Sequence, residues 1–218
     1  MMRTQTIEVA IATGDVHLQG LLALPYAATG IVAFAHGSGS SRFSGRNQRV
    51  AQGLNQAGLG TLLFDLLTSE ENETDIVSAE YRFNIELLTE RLVGAVKWLN
   101  HHKETAALHV GLFGSSTGAA AALQTAAELG KKISAVVSRG GRPDLAGSNA
   151  LGKVQSPTLL LVGGLDNVVL DLNRESESQM QCKKELVIIP GATHLFEEPG
   201  TLEEIERLTA DWFTRYLK

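Results

Sequence analysis

Ser116 stands at the centre of Gly114-Ser115-Ser116-Thr117-Gly118, between the apolar run "HVGLFG" (109–114) and the alanine-rich stretch that follows it. A G-x-S-x-G pentapeptide at a strand-to-helix junction is the arrangement that raises a nucleophilic hydroxyl on a sharp turn. The residues two before and two after such a serine crowd each other, so small side chains let the turn close. The hydroxyl then sits at a helix N-terminus, where free backbone N–H groups favour developing negative charge. Ser115 lacks the symmetric glycines and is the weaker candidate. A serine hydroxyl attacks a carbonyl only when a base removes its proton, and the base needs a third group to orient it. In the order Ser, acid, His, the chain supplies Asp166 in "LLLVGGLDNVV" and His194 in "VIIPGATHLFEEPG", with Asp171 as the reserve acid. Taken singly, these are a Gly/Ser turn, a turn aspartate and an ordinary histidine. Together they agree in residue type, order and position after an apolar run, which points to acyl chemistry.

A tetrahedral intermediate also needs two N–H donors for its oxyanion. The residue after the nucleophile, Thr117, supplies one. The other is expected from the loop after the strand 31–36, "FAHGSGSSRFSGRN", where Ser38 is the first choice and Gly39 the next.

The elements that must position these groups are legible as periodicity. The runs 31–36, 61–67, 109–114, 133–139, 158–164 and 185–191 are apolar almost throughout. Strands read this way when helices cover both faces of a parallel sheet. Between them, Tyr81, Ile85, Leu88, Leu92, Ala95 and Leu99 mark one long amphipathic helix, entered from a surface loop at 68–79 and capped by Asp75 or Ser78. Leu202, Ile205, Leu208, Trp212 and Tyr216 mark a C-terminal helix. The first 25 residues read instead as two β-segments joined by a Gly-Asp turn, an antiparallel hairpin on one edge. The expected fold class is α/β: one domain over 1–218, a mostly parallel sheet with helices on both faces and an N-terminal antiparallel hairpin. Sites in such sheets lie at the carboxyl ends of the parallel strands.

Composition narrows the function classes. A net charge of −5 without any lysine or arginine run gives no electrostatic footprint for nucleic acid. No stretch approaches the ~20 apolar residues of a membrane span, and the N-terminus lacks a secretory h-region, so a cytoplasmic location without membrane contact is expected. Cys182, the single cysteine, excludes an internal disulfide or Cys-rich zinc site, and its place before a strand argues for a structural thiol. No metal or organic cofactor is expected. Oligomeric state is not readable. Four arginines, Arg42, Arg46, Arg139 and Arg142, fall at the catalytic edge; they either recognise a substrate carboxylate or phosphate or pair with Glu70, Glu71 or Asp144.

These motifs, "HGSGSS", "GSSTG", the aspartate of "VGGLD" and the histidine of "GATHLF", resemble the α/β-hydrolase fold over roughly residues 20–217, and within it the dienelactone hydrolase-like group of small enzymes without a large lid. Dienelactone hydrolases proper carry cysteine at the nucleophile position, where this chain has Ser116. The resemblance therefore implies ester or related acyl hydrolysis rather than the dienelactone substrate itself. The expected function is a serine hydrolase for a small ester, lactone or thioester, through an acyl-enzyme. Its alternatives are an acyltransferase or C–C hydrolase using the same triad, and a non-catalytic binding protein of the same fold.

Overall fold

The structure is a computed structural model that describes residues 4–218; the first three residues of the predicted domain and of the N-terminal reading lie outside it. Among the described residues eight strands form one sheet: β1 (Gln5–Thr13), β2 (Val16–Leu24), β3 (Gly30–Ala35), β4 (Gly60–Phe64), β5 (His109–Ser115), β6 (Ile133–Arg139), β7 (Thr158–Gly163) and β8 (Lys184–Ile189). Their spatial order is β1-β2-β4-β3-β5-β6-β7-β8. The β1–β2 hairpin is antiparallel and β2 joins β4 antiparallel, while every pair from β4 onward is parallel. The fold is that of an α/β-hydrolase.

Among the described residues seven α-helices surround the sheet: α1 (Gly45–Gln56), α2 (Ser69–Ser78), α3 (Ile85–His101), α4 (Thr117–Leu129), α5 (Ser148–Leu151), α6 (Asn167–Gln179) and α7 (Thr201–Tyr216). The alternation of a buried strand sends successive side chains to opposite layers. In β5, Val110 and Leu112 join a cluster with Leu92, Ala95 and Leu99 of α3, whereas Phe113 joins Val50 and Leu54 of α1 and Trp212 and Phe213 of α7. No helix among the described residues is long and apolar enough to cross a membrane.

The stretch 68–79 is a helix rather than the loop its sequence suggested. Thr68 and Glu71 form a reciprocal capping box, Glu70 and Glu71 occupy the first turn, and Ala79 ends α2 in the left-handed region. Its apolar residues Ile76 and Val77 are exposed, so no buried stripe announced it; the T-x-x-E signature of the box was the available signal. The long helix accordingly starts later, at Ile85, with Asn84 and neither Asp75 nor Ser78 as its cap. Asp75 is buried instead, accepting hydrogen bonds from the Tyr81 and Arg82 N–H groups and from the Arg82 guanidinium. Burial alone would raise its pKa, but these donors hold the carboxylate below its usual range. The result is a staple that folds 79–84 back onto α2.

Candidate active site

The chain runs from β3 outward to β4, returns to the middle at β5, and then proceeds the other way through β6, β7 and β8. That reversal opens a crevice between the β3 and β5 loops, where ligands bind in sheets of this kind. Ser116 sits there, directly after β5, with φ 50° and ψ −122°. A non-glycine residue in this region is strained by about 1–3 kcal/mol and persists only where its surroundings enforce it. They do. Its N–H donates to the Arg139 carbonyl (3.3 Å), and its own carbonyl accepts from Ala119 and Arg142 (3.1 and 3.0 Å). The flanking glycines are required by close approach: a methyl group on Gly118 would lie 2.2 Å from the Ala35 carbonyl oxygen, and one on Gly114 would lie 2.4 Å from Ala119 Cα.

Asp166 follows β7 and His194 follows β8. Their loops are pinned together by the backbone bonds Gly164 N–H to Ile189 O (2.8 Å) and Leu165 N–H to Ala192 O (2.9 Å). His194 Nδ1–H donates to Asp166 Oδ2 at 2.6 Å. This bond fixes the neutral tautomer with its acceptor at Nε2. The histidine loop is braced by Thr193, whose hydroxyl donates to Glu198 at 2.6 Å, and by the buried Phe196. His194 lies against the end of β6, since a methyl group on Gly140 would meet its Cε1 at 3.6 Å, and the preceding carbonyl is the one that holds Ser116. Among the described residues Ser116 and the His194 ring form no hydrogen bond, and such bonds commonly tighten only with substrate. Asp171 stands apart on α6, exposed and paired with Arg174 (3.1 Å).

The β3 loop packs directly on the serine: a methyl group on Gly37 would come 3.0 Å from Ser116 Cβ. A turn from the Gly37 carbonyl to the Ser40 N–H, with Gly39 at φ 67°, holds Ser38 on the wall of the same cavity as Thr117, which has one of the first, free N–H groups of α4. Behind this loop His36 is buried, accepting the Leu66 N–H at Nε2 (3.1 Å) and donating from Nδ1 to the Gly37 carbonyl (2.9 Å). It is thus structural. Burial pushes its pKa below the ordinary 6.5. The unfolded chain therefore takes up a proton that the fold refuses, and stability falls as pH drops below about 6.5, by up to about 1.4 kcal/mol per pH unit until the folded pKa is reached. Denaturant unfolding at pH 7.5 and 5.5 should show this loss in the wild type and a smaller one in His36→Gln.

Of the four arginines, three have carboxylate partners within the chain. Arg42 pairs with Asp65, Arg46 with Glu197 (3.1 Å) and Arg142 with Asp144 (2.7 Å). Arg139 is 7% exposed, lies 5.7 Å over the Phe113 ring, and leaves one guanidinium nitrogen without a partner. Burial, with Arg46 nearby, lowers its pKa to about 10, so it stays charged at neutral pH. Cys182 lies half-buried at the opposite edge, its thiol pushed up by burial.

A profile described as the dienelactone hydrolase family matches residues 18–217. The chain belongs to the dienelactone hydrolase family. Its backbone is similar to that of a dienelactone hydrolase from Anabaena variabilis, with TM-score 0.97 and 55% identity over 99% of both chains. An esterase from Pyrococcus furiosus shares the fold at TM-score 0.80 and 19% identity, covering 99% of this chain and 92% of that one. Two Mycobacterium tuberculosis proteins named as phosphoribosyl transferases are 53% identical over 212 residues, 96% of this chain and 46% of theirs. The chain thus spans about half the length of those curated relatives. Family membership and fold are thus established over residues 18–217 of this chain.

The sequence did not point to a cavity of about 430 Å³ on the far side of the β3 loop. Its wall includes Val16, His17 and Gln19 of β2, because β2 runs antiparallel to β4 and so begins at the edge where β4 ends. The segment after β4, the start of α2, and Arg82 complete it.

Proposed function

We propose that the chain is a serine hydrolase of small esters, lactones or thioesters. The observation that carries this reading is the 2.6 Å His194–Asp166 bond beside Gly140, the residue that follows the carbonyl holding the strained Ser116 turn. His194 Nε2 takes the hydroxyl proton as Ser116 Oγ attacks the carbonyl carbon. Asp166 keeps the proton of the resting imidazole on Nδ1 and stabilises the imidazolium that forms. The N–H groups of Thr117 and Ser38 stabilise the oxyanion. Collapse of the tetrahedral intermediate expels the leaving group, which His194 protonates. Water then attacks the acyl-enzyme with His194 again as base, releasing acid and free Ser116. The reaction needs no metal or organic cofactor. The transferase name of the mycobacterial relatives belongs to proteins of which the matched segment is 46%, and the hydrolase reading is made for this segment.

A fluorophosphonate probe should place one adduct on Ser116, located by peptide mass mapping, and the same preparation should turn over members of a nitrophenyl-ester and lactone panel. An unlabelled, inactive protein would replace this reading with a binding role.

A further inference from the structure

We propose that the cavity beyond the β3 loop is the acyl-binding subsite and selects uncharged, hydroxylated acyl groups. The proposal rests on the hydrolase reading above and adds a substrate class to it.

The assignment to the acyl side follows from where protons must go. The leaving oxygen has to lie within reach of His194, which protonates it. The cavity is bounded by Ser38 and Thr117, the residues proposed to hold the oxyanion, but neither His194 nor Asp166 lines it. A group that fills it is attached at the carbonyl carbon and extends away from the base. That group is the acyl chain.

The lining then sets its chemistry. Val16, Leu66, Leu67 and Leu88 offer an apolar wall suited to a short carbon chain. Three carboxylates, Asp65, Glu70 and Asp75, face one guanidinium, Arg82, and one exposed imidazole, His17. The Arg82 guanidinium is already engaged by Asp75, and Asp65 by Arg42 from outside the cavity. A carboxylate on the acyl chain would meet the unpaired Glu70 and no free guanidinium. Neutral hydrogen-bonding groups remain: Gln19, Ser40 and Asn72 around the cavity, and Thr117 at its inner end. Thr117 is 3% exposed and its hydroxyl is buried without a partner. Buried hydroxyls are normally satisfied, and a rotation of this side chain toward the cavity would let a substrate hydroxyl, both donor and acceptor, relieve this one.

The test compares three nitrophenyl esters with one leaving group and a six-carbon acyl chain: hexanoyl, 6-hydroxyhexanoyl and the monoester of adipic acid. In the wild type, kcat/KM should be about tenfold higher for hydroxyhexanoyl than for hexanoyl, the effect of one well-made hydrogen bond, and lowest for the carboxylate. Asn72→Leu at the exposed rim and Thr117→Val, which keeps the backbone N–H, should each shrink the hydroxyhexanoyl-to-hexanoyl ratio toward one. Equal values for the hydroxylated and plain chains would overturn the proposal while leaving the hydrolase standing. Preference for the carboxylate would also overturn it and move recognition to an arginine, with Arg139 the first to replace. Failure of the wild type to hydrolyse any of the three, together with failure of the fluorophosphonate to label Ser116, would overturn the hydrolase reading and this proposal with it.

Discussion

Ser116→Ala should lower kcat on a nitrophenyl ester by about five to six orders of magnitude, and should abolish the fluorophosphonate adduct. The size of the loss follows from the proposed mechanism: without Oγ no acyl-enzyme would form, and only binding and the proposed oxyanion donors would remain to act on bound water. Unfolding measurements separate this from a structural effect. Ser116 holds φ 50°, and alanine at that position inherits the same strain, so the variant should melt close to the wild type. Ser116→Gly should be equally inactive yet more stable than Ser116→Ala by about 1 kcal/mol, because glycine adopts this backbone without a Cβ penalty. That pairing would show strain held for chemistry rather than for the fold. An adduct that persists in either variant would remove Ser116 from the mechanism.

Much of the placement of this candidate site in the fold could be read before the structure because two kinds of signal coincide in it. The strands are buried on both faces, so their apolar runs end where the loops begin; the expected segment 133–139 is β6 itself, and the others differ by one to three residues at their ends. Polar residues placed at those ends, Asp166 and His194, therefore stand out. What could not be read depends on contacts that have no period. Helix α2 buries almost no apolar side chain, so only its capping box marked it. The fates of the arginines turned on which carboxylate the fold brings near: Asp144 is two residues from Arg142, but Glu197 is 151 residues from Arg46. The cavity was hidden for a topological reason. Its β2 wall comes from a strand that runs against the others, so its chemistry sits at a strand beginning, whereas the parallel strands present theirs at the end.

Asp166→Asn should lower kcat by about 10⁴-fold, and the same change at Asp171 by no more than about twofold. In the proposed mechanism the neutral amide removes the charge that stabilises the imidazolium, and it can offer an N–H to Nδ1 where the carboxylate offered a lone pair. The ring then carries its proton on Nε2 and cannot accept another there. Structural damage does not account for such a loss. Asp166 occupies the N-cap position of α6, yet its side chain makes no capping hydrogen bond, so asparagine forfeits none. Its main side-chain partner is His194. The variant should therefore keep the wild-type melting temperature within a few degrees and still react slowly with the fluorophosphonate, since the nucleophile remains and only its activation is impaired. Asp171, 78% exposed and bonded to Arg174 one turn along the same helix, has no contact through which to act on the ring. Stopped-flow and steady-state rates on one nitrophenyl ester decide between them: a large loss at Asp171 with little at Asp166 would transfer the role of acid to Asp171 and leave Ser116 in place.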